Sequence, residues 1–244
     1  MLLLPAAAAD DGTASLLRRL LDPKVPMEER ESAAKSLGKD REGALALLKL
    51  ADEGTLPPEL RATASFAVAA NADAEIRRRA ERSLPLPKSR DGATVPPLAG
   101  LLAMKGNPKS GARVYRDPKG PNCIACHQIG DEGRMVGPPL TTIGNKLSRE
   151  QLFESILTPS AAILMSYEVW AVRTKDGDVK TGIKVEDTED RITLKDNNGE
   201  YVDLPLGKVA ERKQLSLSMM PDNITATMSV QDLVDLVDYL SEQK

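Results

Sequence analysis

Cys123-Ile124-Ala125-Cys126-His127 is the stretch on which the reading of this chain turns. Two thiols two residues apart, followed at once by an imidazole, form the C-x-x-C-H pattern of covalent haem attachment. The chemistry sets the spacing: two thiols add across the two vinyl groups of one porphyrin edge, and one turn of backbone brings the next imidazole beneath the iron. Three other readings compete. A zinc site would exhaust the two Cys and the one His and leave neither type for a fourth ligand. A thioredoxin-like redox pair wants a strand–turn–helix context that the flanks do not supply. A plain disulfide across two residues stays open.

Working outward, Asn107-Pro108 pairs a good N-cap with proline at the first helical position and opens a helix through Arg116. Gly137-Pro138-Pro139-Leu140 follows the histidine. Ser148-x-x-Gln151 is a capping box ahead of Leu152, Phe153, Ile156 and Leu157, in a helix that must stop before Pro159. Met219-Met220-Pro221 precedes a second box, Ser229 to Asp232, whose helix carries Val230, Leu233, Val234, Val237 and Leu240 on one face.

Helix, C-x-x-C-H, G-P-x-L, helix, Met-Pro, helix is the order found in class I cytochromes c. In detail the segment from Lys105 to the C-terminus resembles the haem-binding domain of the Pirellula/Verrucomicrobium type. The resemblance implies one covalent haem c, with Cys123 and Cys126 as its thioethers and His127 as the proximal iron ligand. It implies that the Pro138 carbonyl accepts the proximal imidazole N–H, a contact that fixes the tautomer. Gly111 and Tyr115 match positions where the first helix crosses the last, with Leu236 and Tyr239 opposite; ordinary helix packing would read the same way. His127 is the only histidine, which excludes bis-histidine ligation within one chain. Of eight methionines, Met165, Met219, Met220 and Met228 lie in the segment and far enough from His127. The family places its ligand directly before the proline, which puts Met220 first and Met219 as the fallback, with the others or an open sixth site remaining.

Two departures stand out. The loop from Tyr115 to Cys123 is long, with Asp117-Pro118-Lys119-Gly120 as an extra turn. The stretch from His127 to Met220 is also much longer than a class I domain needs. The excess, at about residues 167–212, reads as β structure: Tyr167–Thr174, Val179–Val185, Arg191–Lys195 and Tyr201–Leu204. Asp176-Gly177 and Asn198-Gly199 between β-branched runs are strong hairpin signals. A four-stranded antiparallel meander or small barrel is expected, with Trp170, the single tryptophan, as its core anchor.

Residues 10–104 read differently, as short helices broken by Pro and Gly. A local pattern recurs, Arg-x-x-Ala-x-x-x-apolar, at Arg30/Ala33/Leu37, Arg61/Ala64/Val68 and Arg77/Ala80/Leu84. Its spacing puts the three on one helix face and lets a neighbour approach over the small Ala, as in stacked HEAT-like pairs. The Pro-rich run from Leu84 to Pro97 reads as a connection. Residues 1–9, apolar and then Ala-rich, read as the remnant of a secretion signal. The fold class expected is therefore mainly α with a β insertion: a HEAT-like helical domain, 10–104, and a cytochrome c domain, 105–244.

Composition narrows the function. The chain has 244 residues, 33 Lys and Arg against 36 Asp and Glu, and a net charge of −3. That balance lacks the basic face that general nucleic-acid binding requires. No apolar run is long enough for a spanning helix. One Trp, four Tyr and two Phe are few, so the core rests on Leu, Ala, Val and Ile. No Ser/His/Asp set, catalytic carboxylate pair or phosphate loop competes. The expectation is an exported, periplasmic electron carrier and not an enzyme. The resemblance implies redox proteins as partners: a sugar or alcohol dehydrogenase as donor, another cytochrome or a terminal oxidase as acceptor. Two alternatives remain: a haem peroxidase or gas sensor with an open or labile sixth site, and a helical-repeat interaction module with an accessory haem.

Overall fold

The computed structural model describes residues 12–244, so the expected signal remnant at 1–9 lies outside the described residues. The chain divides into two compact units, Met1–Pro85 and Leu86–Lys244. The division falls earlier than the boundary expected at 104/105. The reason is the helix Leu98–Ala103: Leu101 is fully buried, and the Leu102 and Met104 carbonyls accept the Arg149 guanidinium at 2.9 and 2.8 Å. It belongs to the second unit's packing.

The first unit contains α1 (Thr13–Leu21), α2 (Met27–Leu37), α3 (Arg41–Asp52), α4 (Arg61–Ala69) and α5 (Ala74–Ser83). Asp40 caps α3 through the Gly43 N–H, and Asp73 caps α5 through the Glu75 N–H. In the recurring pattern the small and apolar positions are buried in all three copies: Ala33 and Leu37, Ala64 and Val68, Ala80 and Leu84. The Arg position is not uniform. Arg30 is buried, its Nε donating to the Leu20 carbonyl at 2.9 Å and its Nη1 to Glu59 at 3.1 Å, whereas Arg61 and Arg77 are exposed. Leu20, Leu47, Leu48, Leu60 and Ile76 complete one continuous core.

The second unit is built from α6 (Leu98–Ala103), α7 (Pro108–Arg116), a 3₁₀ turn (Cys123–Ala125), and a short ribbon of β1 (Gln128–Ile129) and β2 (Glu132–Gly133). Then come α8 (Ile143–Lys146), α9 (Arg149–Leu157), strands β3 to β7, and α10 (Val230–Ser241). The expected caps form. The Asn107 side chain accepts from the Lys109 and Ser110 N–H groups, and both capping boxes, Ser148/Gln151 and Ser229/Asp232, make their reciprocal bonds. α7 lies across α10, and the crossing is close because Gly111 has no side chain: a Cβ there would stand 2.0 Å from the Asp235 carbonyl oxygen and 2.7 Å from Tyr239 Cβ. Asp235 and Asp238 of α10 accept the Asn107 and Gly106 N–H groups, which ties the start of α7 to α10.

The inserted sheet has five strands, not four: β3 (Val169–Thr174), β4 (Val179–Asp187), β5 (Arg191–Lys195), β6 (Tyr201–Pro205) and β7 (Val209–Gln214). All pair antiparallel in the order β6-β5-β4-β3-β7. The first four form the expected meander. β7 returns to the free side of β3, with Trp170 opposite Gln214. The two expected turns form, with Gly177 at φ +93° and Gly199 at φ +75°, a region where glycine is at ease. Val172, Ile192, Leu194 and Leu204 make the sheet's core, with Trp170 packed against it and the Lys184 ammonium 4.1 Å above the Trp170 ring.

Candidate haem-attachment site

The site begins at Asn122, held at φ +49°, where asparagine is among the few side chains that sit readily. The chain then turns tightly: the Cys126 and His127 N–H groups both donate to the Cys123 carbonyl, at 3.1 and 2.9 Å. Both thiols are free. Burial pushes the Cys123 thiol up to about 12, and burial also raises Cys126, with the Arg134 charge opposing it. Both are therefore neutral thiols at ordinary pH. Among the described residues no three His, Cys, Asp or Glu side chains cluster to hold a metal ion, so the zinc reading finds no donor set there.

The loop after His127 folds back onto the turn. Arg134 N–H donates to the Ile124 carbonyl at 3.1 Å, and Val136 and Gly137 N–H groups donate to the Cys126 carbonyl at 3.0 and 2.8 Å. This places the Pro138 carbonyl 2.7 Å from His127 Nδ1. A carbonyl only accepts, so Nδ1 carries the proton and Nε2 keeps its lone pair free for a metal. Burial lowers the imidazole's affinity for a second proton, which keeps the ring neutral and able to ligate.

Three neighbours of His127 were not legible as such in the sequence. Gly137 lies flat against the ring: a Cβ there would be 2.6 Å from His127 Cε1. Gly133, at φ +98°, approaches the His127 carbonyl so closely that a Cβ would stand 2.1 Å from its oxygen. Tyr115, expected only at the helix crossing, also donates its hydroxyl to the His127 carbonyl at 2.6 Å. Its ring is completely buried and meets Tyr239 at 5.8 Å between centres, tilted by 52°. Leu236 is buried on α10 as well.

The methionines separate by environment. Met135 and Met165 are 61% and 80% exposed, and Met228 is buried at 1% beside Ile224 and Thr225. Met219 and Met220 are half-buried. Their segment is anchored: Met220 N–H donates to Ser218 Oγ at 3.1 Å, and Ser218 N–H to Ser160 Oγ at 3.0 Å.

Two free neutral thiols on one turn and a neutral imidazole with one nitrogen engaged and the other free fit a covalently bound haem. Residues 108–194 match the cytochrome c family model. The chain thus carries a cytochrome c domain, with haem c attached covalently as its cofactor and a haem-based electron-transfer role. Among solved structures, the chain is similar to a SoxXA from P. pantotrophus, at 20% identity over 58% of this chain and 85% of that one, with a TM-score of 0.30. No curated protein matches it by sequence. No helix among the described residues is long and apolar enough to cross a membrane.

Proposed function

We propose that this protein is an exported carrier of single electrons whose one haem would be held by Cys123 and Cys126, with His127 and Met220 as the ligands of its iron. The observation that carries the reading is the His127–Pro138 contact, because it commits one imidazole nitrogen and leaves the other for iron. A bound haem supplies the one-electron iron couple. Cys123 and Cys126 fix its edge to the chain. Pro138 and Gly137 hold the imidazole in one orientation and one tautomer, so the ligand does not reorganise when the charge changes. Met220 supplies a soft thioether that favours the reduced iron and raises the potential. Pro221 restricts Met220 to extended backbone and stops a helix from starting there. With His127 and Met220 both on the iron, a small molecule would find no open coordination position, which would make the site a carrier and not a catalyst.

The resemblance to the Pirellula/Verrucomicrobium type supports a sugar or alcohol dehydrogenase as donor and another cytochrome or an oxidase as acceptor. The buried Ala33, Ala64 and Ala80 support HEAT-like stacking of α1 to α5. Absorption spectra of both redox states, with and without CO, test the function. Wild type should be low-spin and bind CO slowly or not at all. Met220→Ala should open the sixth position and lower the potential, whereas Met219→Ala should stay low-spin. Rapid CO binding to a high-spin wild type would replace the carrier with a sensor or peroxidase. Haem that extracts freely into acidic acetone would remove the covalent link altogether.

A further inference from the structure

The β5–β6 hairpin of the inserted sheet meets the loop that closes on His127. Three contacts fall on three successive residues of that loop. Lys195 Nζ, at the end of β5, donates to the Met135 carbonyl at 2.7 Å. The Arg134 guanidinium donates to the carbonyl of Asn198 in the hairpin turn. Gly199 sits so close to Val136 that a Cβ would stand 3.0 Å from Val136 Cγ2. The next two loop residues are Gly137, flat against the imidazole, and Pro138, which accepts its N–H.

Lys195 is an odd choice for a position paired with the buried Ile183 across the β4–β5 ladder, on the sheet face opposite Leu194. Its residue is only 9% exposed, and among the described residues it forms no ion pair. Burial alone acts on its charge, lowering its proton affinity, and the Tyr167 ring lies 5.7 Å away. Burying an unpaired ammonium is costly, and an apolar residue would serve the sheet's packing at no such cost. What Lys195 gains is a charge-assisted bond to the Met135 carbonyl.

We propose that Lys195 is a positioning residue for the haem site: through it the inserted sheet clamps the Arg134–Pro138 strap against His127 and sets the iron's reduction potential. The inference rests on His127 being the iron ligand. Two effects act in one direction. A fixed positive charge beside the site disfavours the more positive, oxidised iron. A strap that stays closed keeps water from the His127 side, and water also favours the oxidised state.

The test uses the full chain matured with haem. Lys195→Met keeps the length and removes the charge and the donor. It should lower the midpoint potential and speed amide exchange at Val136 and Gly137 at least severalfold, since both N–H groups depend on the closed strap. Lys195→Arg, which keeps a charged donor, should restore both toward wild type. Arg134→Gln, at an exposed position, breaks the second contact without touching the sheet's core and should speed exchange at Val136 by a smaller factor. Wild-type exchange at Val136 and Gly137 in both Lys195→Met and Arg134→Gln would overturn the clamp, whatever the potential does. A wild-type chain that carries no ligated haem would instead overturn the site itself, and the exchange rates would still decide the clamp.

Discussion

The helical unit and the haem-bearing unit hold their critical residues by different forces. In the first, Leu20, Leu37, Leu47, Leu48 and Leu60 are fully buried against Ala33, Ala34, Ala44 and Ala64. Apolar contact is the main glue there, and a few polar bonds, such as Arg30 to the Leu20 carbonyl, are buried within it. From Cys123 to Leu140 only Val136 is buried, while successive N–H groups fasten to Cys123, Ile124, Cys126 and Gln128 carbonyls. Packing tolerates small shifts; a hydrogen bond and a glycine pressed on an imidazole do not. The difference teaches that positional accuracy at the site comes from directional bonds and from absent side chains, with α7 and α10 of the same unit serving as frame.

The strongest way to break the comparison is to cut a buried side chain in the first unit. Leu47→Ala should cost about 2–5 kcal/mol, the usual range for such a truncation. Thermal melts followed by far-UV dichroism should show an early helical transition, while the haem absorbance melts at the wild-type temperature. A common shift of both signals would mean that the units are one cooperative body and that the contrast is false.

A second test sharpens the contrast through pH, because the helical unit contains neither Cys nor His. In the haem-free chain the Cys123 thiol is held neutral, raised from 9.0 to about 12 by burial. A group raised in the fold stabilises it fully below the unfolded value and loses that contribution as pH climbs toward the folded value. Cys123 alone should therefore weaken the haem-bearing unit between about pH 9 and 12, by roughly 1.4 kcal/mol per pH unit at most. Covalent attachment consumes the thiol, so the matured protein should lack this alkaline loss. Denaturant melts at several pH values, with and without haem, check both halves. An alkaline loss of equal size in the matured protein would assign it to some other group.

Local signals explain how much could be read in advance. The C-x-x-C-H turn, the Asn107 cap, the two capping boxes and the Asp-Gly and Asn-Gly turns each depend on residues a few positions apart, and each forms. What escaped depends on distant partners. β7 was missed because Glu211, Arg212 and Lys213 face solvent at a sheet edge and carry no alternating pattern. α6 looked like one more helix of the first unit, and only its bonds to Arg149 place it in the second. Gly137 was visible as part of a motif, but its contact with the imidazole needs the loop to fold back. Lys195 ends a strand in the sequence, and only the folded hairpin brings it to the Met135 carbonyl.

The mildest change isolates a single directional bond. Tyr115→Phe keeps the ring, and with it the contact to Tyr239 and the burial at the α7–α10 crossing. It removes only the hydroxyl that reaches the His127 carbonyl at 2.6 Å. Burial raises that hydroxyl's pKa, so it remains a donor across the ordinary pH range. Its loss should cost the haem-bearing unit about 1 kcal/mol, rising to about 3 if the carbonyl finds no substitute donor. Haem absorbance melts should register the change, and the helical dichroism transition should not move. If Tyr115→Phe melts like wild type while Leu47→Ala does not, apolar packing governs both units and the hydrogen bonds around His127 merely follow it. If Tyr115→Phe loses stability and its iron–imidazole vibration also broadens, the hydroxyl is holding the ligand's backbone in register, as the geometry of the turn requires.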